Sequence, residues 1–352
     1  MTAQKKEILK IIMRRLLLLF VIIIVPVICK SNYYRGILII IGIYSMIIIG
    51  LNMLIGYAGQ VSLGHAGLFG LAAYISGIMS STTQGKFGLP MAVSIPSAII
   101  FTTFISFLIG IPILKLKGHY LAMATLGLGV ILSTLFIHVP ITDGFDGFRK
   151  IPFLWIGGED FATKTLHLSP KLNSYIIVWT CVFLTVLISE NIINSRIGRA
   201  LKSIHDSEPA ALSLGISVGK YKNTIFTLSS FYAAVAGCLF AHYKRFIAPS
   251  DFNITYSITF VTMVVVGGAR TIYGAILGAA LLTSLTYVLQ GFEEYLNKAF
   301  SIDFNIGDYH IVIYGMIIIL VMIFFPKGIA GSFIHILKKI VRLFLKKQKI
   351  YA

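Results

Sequence analysis

Asn52, Gln60, Ser62 and His65 lie close together in the chain, the last three within a glycine-rich stretch from Gly56 to Gly70 that sits between two long apolar runs. Their chemistry is that of neutral dipoles and one imidazole. Such groups can hold the ammonium and carboxylate of a small zwitterion, or hydrogen-bond to one another. They contain no nucleophile–base or carboxylate pair for bond cleavage. His65 has two open readings. It is a functional titratable group in the membrane, or a structural histidine bonded to a neighbouring carbonyl.

What must position these side chains follows from the flanking runs. Of 352 residues, 57% are hydrophobic and only 12% charged, about half the charged share of an ordinary soluble domain. Many windows approach the roughly 20 residues that cross a bilayer. Loose backbone is costly in lipid, so the glycine-rich stretch is expected to pack among helices or line a polar cavity. The composition predicts an all-α, polytopic membrane helix bundle with about ten transmembrane helices, near 12–29, 36–54, 65–80, 91–113, 119–138, 174–190, 223–242, 256–268, 274–290 and 309–325. The weak member is 256–268, short and ending in Gly267-Gly268. Eight spans plus a re-entrant hairpin is the alternative.

Charge orients the bundle. The net charge of +17 is concentrated at the two ends and in one central segment, which argues against nucleic acid and for a cytoplasmic membrane face. Residues 1–15, the turn with Lys115 and Lys117, segment 191–222 and the tail from Lys327 are basic, whereas 291–308 carries Glu293, Glu294, Asp303 and Asp308. Both termini are therefore expected in the cytoplasm. Lys5 to Arg15 followed by Leu16 to Ile28 is read as an uncleaved first helix. Cys29, Cys181 and Cys238 lack metal-ligand spacing, so neither a metal nor a cofactor is expected. Trp155, Trp179, Tyr120 and Tyr175 near span ends are expected to anchor at the interface. Gly274 and Gly278 have the spacing of a close helix crossing.

Segment 191–222 is too charged to span and too regular for a loop. Ile197, Ala200, Leu201 and Ile204 recur at helical spacing, and Asp206 or Ser207 can cap a second helix that accepts Pro209 in its first turn and stops at Gly215. Glu208 is expected to cap or pair locally. Two short helices would present an apolar knuckle, either docking a partner or resting on lipid.

These stretches resemble the LivM-like permease subunits of branched-chain amino acid ATP-binding-cassette uptake systems. The resemblance is carried by GYAGQVSLGHAGLFGLAAY, IGRALKSIHDSEPAALSLGISVGKYK, VVVGGARTIYGAILGAALL and FFPKGIAG, in order, from about Leu38 to Gly331. It implies a bacterial inner-membrane subunit with a permease domain over 1–331, a coupling loop at 191–222 and a basic cytoplasmic tail at 332–352. It also implies a second homologous permease, two cytoplasmic ATPases, an external substrate-binding protein and a small amino acid as substrate. Asn52, Gln60, Ser62 and His65 become translocation-path residues, and Glu208, Ala210, Ala211, Leu212 and Gly215 the ATPase docking loop. Thr142, Asp143, Gly144, Asp146 and Gly147 resemble an external Thr-Gly-Gly-x-Asp-Gly turn, with Asp143 in place of a glycine; Pro209 also departs from the pattern. No GxxxxGK[ST] phosphate loop occurs, so the chain is not expected to hydrolyse ATP. Urea, short amides or other amino acids are alternative solutes. A channel leaves 191–222 without a purpose, and a secondary transporter lacks its mid-membrane carboxylate.

Overall fold

A computed structural model of the chain describes residues 13–16, 18–20, 22–26, 31–81, 87–155 and 169–300, together with positions 312, 315, 316, 319, 320 and 323; the side chains of 290 and 293–300 are not included. Among the described residues the architecture is all-helical. Its one pairing of extended backbone is an isolated bridge between Phe148 and Ile247. The helices are α1 (Asn32–Asn52), α2 (His65–Ser80), α3 (Met91–Ile113), α4 (His119–His138), α5 (Pro170–Asn194), α6 (Arg196–Asp206), α7 (Glu208–Ser213), α8 (Val218–Lys244), α9 (Ile254–Gly267) and α10 (Ile272–Phe300).

Six of these segments are long and apolar enough to cross a bilayer: Asn32–Tyr57, Met91–Ile113, His119–His138, Pro170–Asn194, Val218–Lys244 and Ile272–Leu289. At 16 and 14 residues, α2 and α9 fall short of the roughly 20 residues of a full span. The expected span 309–325 lies largely outside the described residues, as do the tail 332–352 and the FFPKGIAG motif, whereas of 12–29 the described residues 13–16, 18–20 and 22–26 are helical.

The centre of the bundle is α1. It is apolar all round, and its residues from Ile41 to Asn52 are buried except Tyr44, because α5, α8, α9 and α10 surround it. A helix without a polar face has no reason to seek the surface. By contrast, α3 buries a narrow stripe, Ser94, Ala98, Thr102, Ser106 and Gly110, one small residue per turn against α8. Its large residues Ile100, Phe101, Phe104 and Leu108 stay exposed. This is how helices pack in lipid, where small side chains set the approach and bulky ones face the acyl chains.

Two further approaches depend on glycine. A Cβ on Gly237 of α8 would stand 2.1 Å from the carbonyl oxygen of Phe69 in α2. A Cβ on Gly267 of α9 would stand 2.1 Å from the carbonyl oxygen of Gly274 and 3.2 Å from the Cα of Gly278 in α10, so the small-residue spacing noted in the sequence does mark a crossing.

Helical residues before Pro26 run along α5. Tyr175 and Trp179, expected as interfacial anchors, are instead buried. The Tyr175 hydroxyl donates to the carbonyl of Ile22 at 3.0 Å and the Trp179 indole to that of Leu38 at 3.1 Å. For Tyr175 the reason is physical. Pro26, four residues beyond Ile22, has no N–H, and the freed carbonyl needs a donor inside the protein. Tyr120 is exposed, as expected of an anchor.

Gly237→Val should therefore drive α2 and α8 apart at about 1–3 kcal/mol, the usual magnitude of overpacking. Gly127→Val, where a Cβ meets nothing within 4 Å, should be silent. Melting of the two purified variants in detergent measures the difference, and equal melting points would contradict this packing.

Candidate functional site

The glycine-rich stretch breaks the helical run. After Asn52, α1 widens into a π-helical turn, Met53–Tyr57, a form common at functional sites. The chain then passes through Gly59 in the left-handed region (φ 67°). The Gln60 N–H reaches back to the Leu54 carbonyl at 3.1 Å, which leaves the Gly56 carbonyl free for another donor. Gln60 itself is buried, and neither atom of its amide has a hydrogen-bond partner among the described residues.

The first N–H groups of α2 lack partners within the helix, and its N-cap, Gly64, has no side chain to offer. Hydroxyls from other helices supply them. Thr125 of α4 accepts from Leu63 N–H at 3.1 Å, and Ser257 of α9 accepts from Ala66 N–H at 3.2 Å. His65 is fully buried. Its Nδ1 lies 2.9 Å from Ser62 Oγ and its Nε2 2.8 Å from Ser229 Oγ on α8. A neutral imidazole satisfies both hydroxyls, donating at one nitrogen and accepting at the other. The expected carbonyl partner is thus replaced by two serines.

A second break faces the first. Between α9 and α10 the chain turns through Gly268 (φ 101°) and Arg270 (φ 70°). Asn52 clamps this turn: its amide donates to the carbonyls of Gly268 and Thr271, both at 3.2 Å, and accepts from Arg270 N–H at 3.0 Å. Both protons and the oxygen of that amide are engaged with backbone. Tyr57 donates to the Arg270 carbonyl at 2.6 Å, and Arg270 Nε donates to the freed carbonyl of Gly56 at 2.9 Å. The same guanidinium donates to His205 Nδ1 at 3.0 Å and Asp206 Oδ1 at 3.3 Å. One arginine therefore joins both breaks to the end of α6.

Segment 191–222 forms the two helices expected of it. Ser195 and Ser207 cap α6 and α7, accepting from Ile197 and Ala210 N–H, and Pro209 sits in the first turn of α7. At the other end Gly215 takes φ 77°. Its N–H donates to Leu212 and that of Ile216 to Ala211, the paired bonds of a Schellman stop. Ala200, Leu201 and Ile204 face inward. Ile204, Ala211 and Val218 form a small apolar core under the knuckle, and Glu208 pairs with Lys222 of α8. Outward stand Ala210, Leu212, Leu214 and Gly215, with Leu214 75% exposed.

The turn 142–147 lies at the opposite end of α4. Thr142 donates to the carbonyls of Phe136 and Val139. Asp143 occupies the left-handed region at φ 59°, where glycine or a small polar residue is least strained; this accounts for the exchange. Gly144 and Gly147 also have positive φ, and Phe145 stands 80% exposed between Gly144 and Asp146.

The structure thus groups Ser62 and His65 in one polar network, sets Gln60 beside it, and commits Asn52 to the facing turn. Glu208, Ala210, Ala211, Leu212 and Gly215 share one knuckle. Two residues were absent from the expected site. Leu214 carried a weak signal, as a leucine beside a predicted stop. Arg270 carried only its position, a cation in the otherwise apolar run VVVGGARTIYGAILGAALL.

Compared with known proteins, residues 33–322 match the family described as branched-chain amino acid transport system, permease component. The high-affinity branched-chain amino acid transport system permease protein LivM of Salmonella typhimurium is 29% identical over 304 residues, covering 82% of this chain and 67% of that protein. LivM of Escherichia coli K12 gives the same values. LivH of Salmonella typhimurium is 26% identical over 305 residues, covering 82% of this chain and 91% of its own length. No solved structure matches the chain.

Asn52→Leu should leave the 268–271 turn with buried unpaired backbone groups, a loss of about 1–3 kcal/mol for each group left unsatisfied. A lower melting point with new proteolytic cleavage near Arg270 is the expected readout. Unchanged melting and cleavage would refute the clamp.

Proposed function

Since the chain belongs to the family of permease components of branched-chain amino acid transport systems and is a multi-pass membrane protein, we propose that it forms, with a second homologous permease, the path of an ATP-driven importer for branched-chain amino acids. Two cytoplasmic ATPases supply the energy and an external binding protein delivers the solute. The membrane is the bacterial inner membrane, with both termini and α6–α7 in the cytoplasm, and the chain crosses it about ten times. The permease domain occupies 1–331 and the basic tail 332–352.

The observation that carries this reading is the connection from the α7 knuckle to the helix breaks. Leu212 and Leu214 stand in water on a short, rigidly capped helix, as a docking element requires. Behind them, Glu208 grips Lys222 of α8, and Arg270 ties α6 to Gly56. An ATPase that moves α7 therefore pulls on α8, which carries Ser229, and on the turn before Gln60.

In this mechanism Gln60, Ser62 and His65 line the path, and Asn52 holds the turn beside it. The unpaired amide of Gln60 supplies the neutral dipole that an ammonium or a carboxylate needs. The turn Thr142, Asp143, Gly144, Asp146 and Gly147 faces the binding protein, with Phe145 at its tip. ATP is hydrolysed on the separate subunits; this chain supplies no catalytic residue.

Reconstituted with its partners, the complex should take up leucine in an ATP-dependent way, with urea and short amides competing poorly. Efficient competition by either would change the solute assigned. Gly215→Val places a β-branched residue at positive φ, and should lower uptake roughly tenfold relative to ATP hydrolysis, a coupling loss of about 1.4 kcal/mol. The lone chain in vesicles should move leucine neither with ATP nor down a proton gradient; uptake under either condition would overturn the reading.

A further inference from the structure

Beside the docking knuckle lies a groove of about 710 Å³, between the end of α3, the start of α8 and one side of α7. Its volume lies within the range of ligand sites. The floor is apolar, from Phe107, Ile111, Leu114 and Val218. Lys115, Lys117 and Lys220 form the rim and are exposed. Among the described residues no carboxylate pairs with any of these three. The one acid in the lining, Glu208, is already paired with Lys222.

One more feature points to an occupant. Ser217 places no side-chain cap on the first N–H groups of α8, so the positive end of a 27-residue helix adds to the field at the rim. Above the groove, the exposed apolar face of α3 continues through Leu108, Phe104 and Phe101.

We propose that this groove binds an anionic phospholipid. Lys115, Lys117 and Lys220 hold the phosphate at the membrane–water boundary, and an acyl chain follows the outer face of α3. Cationic rims with apolar floors between membrane helices suit such headgroups. The exposed face of α3 that meets acyl chains runs directly into the groove, so one lipid covers rim and face together. The proposal needs only that the chain spans a membrane, although the groove shares Leu212 with the outward face of α7.

The test uses the full chain in neutral detergent, titrated with phosphatidylglycerol, phosphatidylcholine or inorganic phosphate. Melting temperature and lipid retention by native mass spectrometry are the readouts. Phosphatidylglycerol should be retained and raise the melting point, and the other two should not. The triple variant K115Q/K117Q/K220Q should bind phosphatidylglycerol about a hundredfold more weakly, at the usual contribution per cation near a membrane surface. Equal retention by the triple variant, equal retention of phosphatidylcholine, or a shift with phosphate alone would overturn the proposal. So would a triple variant that loses a co-purifying ATPase while its lipid titration is unchanged, since the groove would then be a protein interface. Failed uptake with intact lipid binding would count against the transport reading alone.

Discussion

Backbone that leaves a helix among packed neighbours must find its hydrogen bonds within the protein wherever water does not reach it. This chain breaks its helices at 59–64 and again at 268–271, and the two breaks serve each other. Asn52 stands at the last regular turn before the first break and spans the second with three bonds. Arg270 reaches the other way, to the carbonyl that the π-helical turn released. Neither irregular segment would be tolerable alone, and the site exists because they are neighbours.

The same accounting explains the serines and threonines scattered through apolar helices. Thr125, Ser229 and Ser257 look arbitrary along α4, α8 and α9, yet all three converge on the start of α2. Two take up N–H groups at or beside a helix start that has no cap of its own, and the third completes the histidine's bonding. Further along the same pair of helices, His242 of α8 lies 2.9 Å from Ser76 of α2 and 2.7 Å from the Pro152 carbonyl.

Much of this was legible before any coordinates. The bounds 65–80, 91–113 and 119–138 coincide with α2, α3 and α4, because glycine, proline or lysine punctuates each of those runs. Others were read short: 174–190 became Pro170–Asn194 and 223–242 became Val218–Lys244. Apolar runs mark what lies in lipid, whereas a helix continues into the polar boundary until a cap such as Ser169 ends it. The α6–α7 knuckle was readable because its signals are local, a cap, a proline and a glycine within a few residues. Arg270 was not, since its partners Gly56, His205 and Asp206 are far away in the chain and only the folded bundle brings them together. Asn52 belongs to the same case: composition reveals a buried amide but not what satisfies it.

Histidine–serine bridges at both ends of the α2–α8 contact, and a glycine against bare backbone between them, turn two helices into one stiff plank. Such a plank does not flex; it tips. A rod of 27 residues is about 40 Å long, so leaning it by about ten degrees sweeps its far end through about 7 Å. A displacement on that scale is comparable to the diameter of a small solute, so a slight lean at one end of the rod is a large movement at the other.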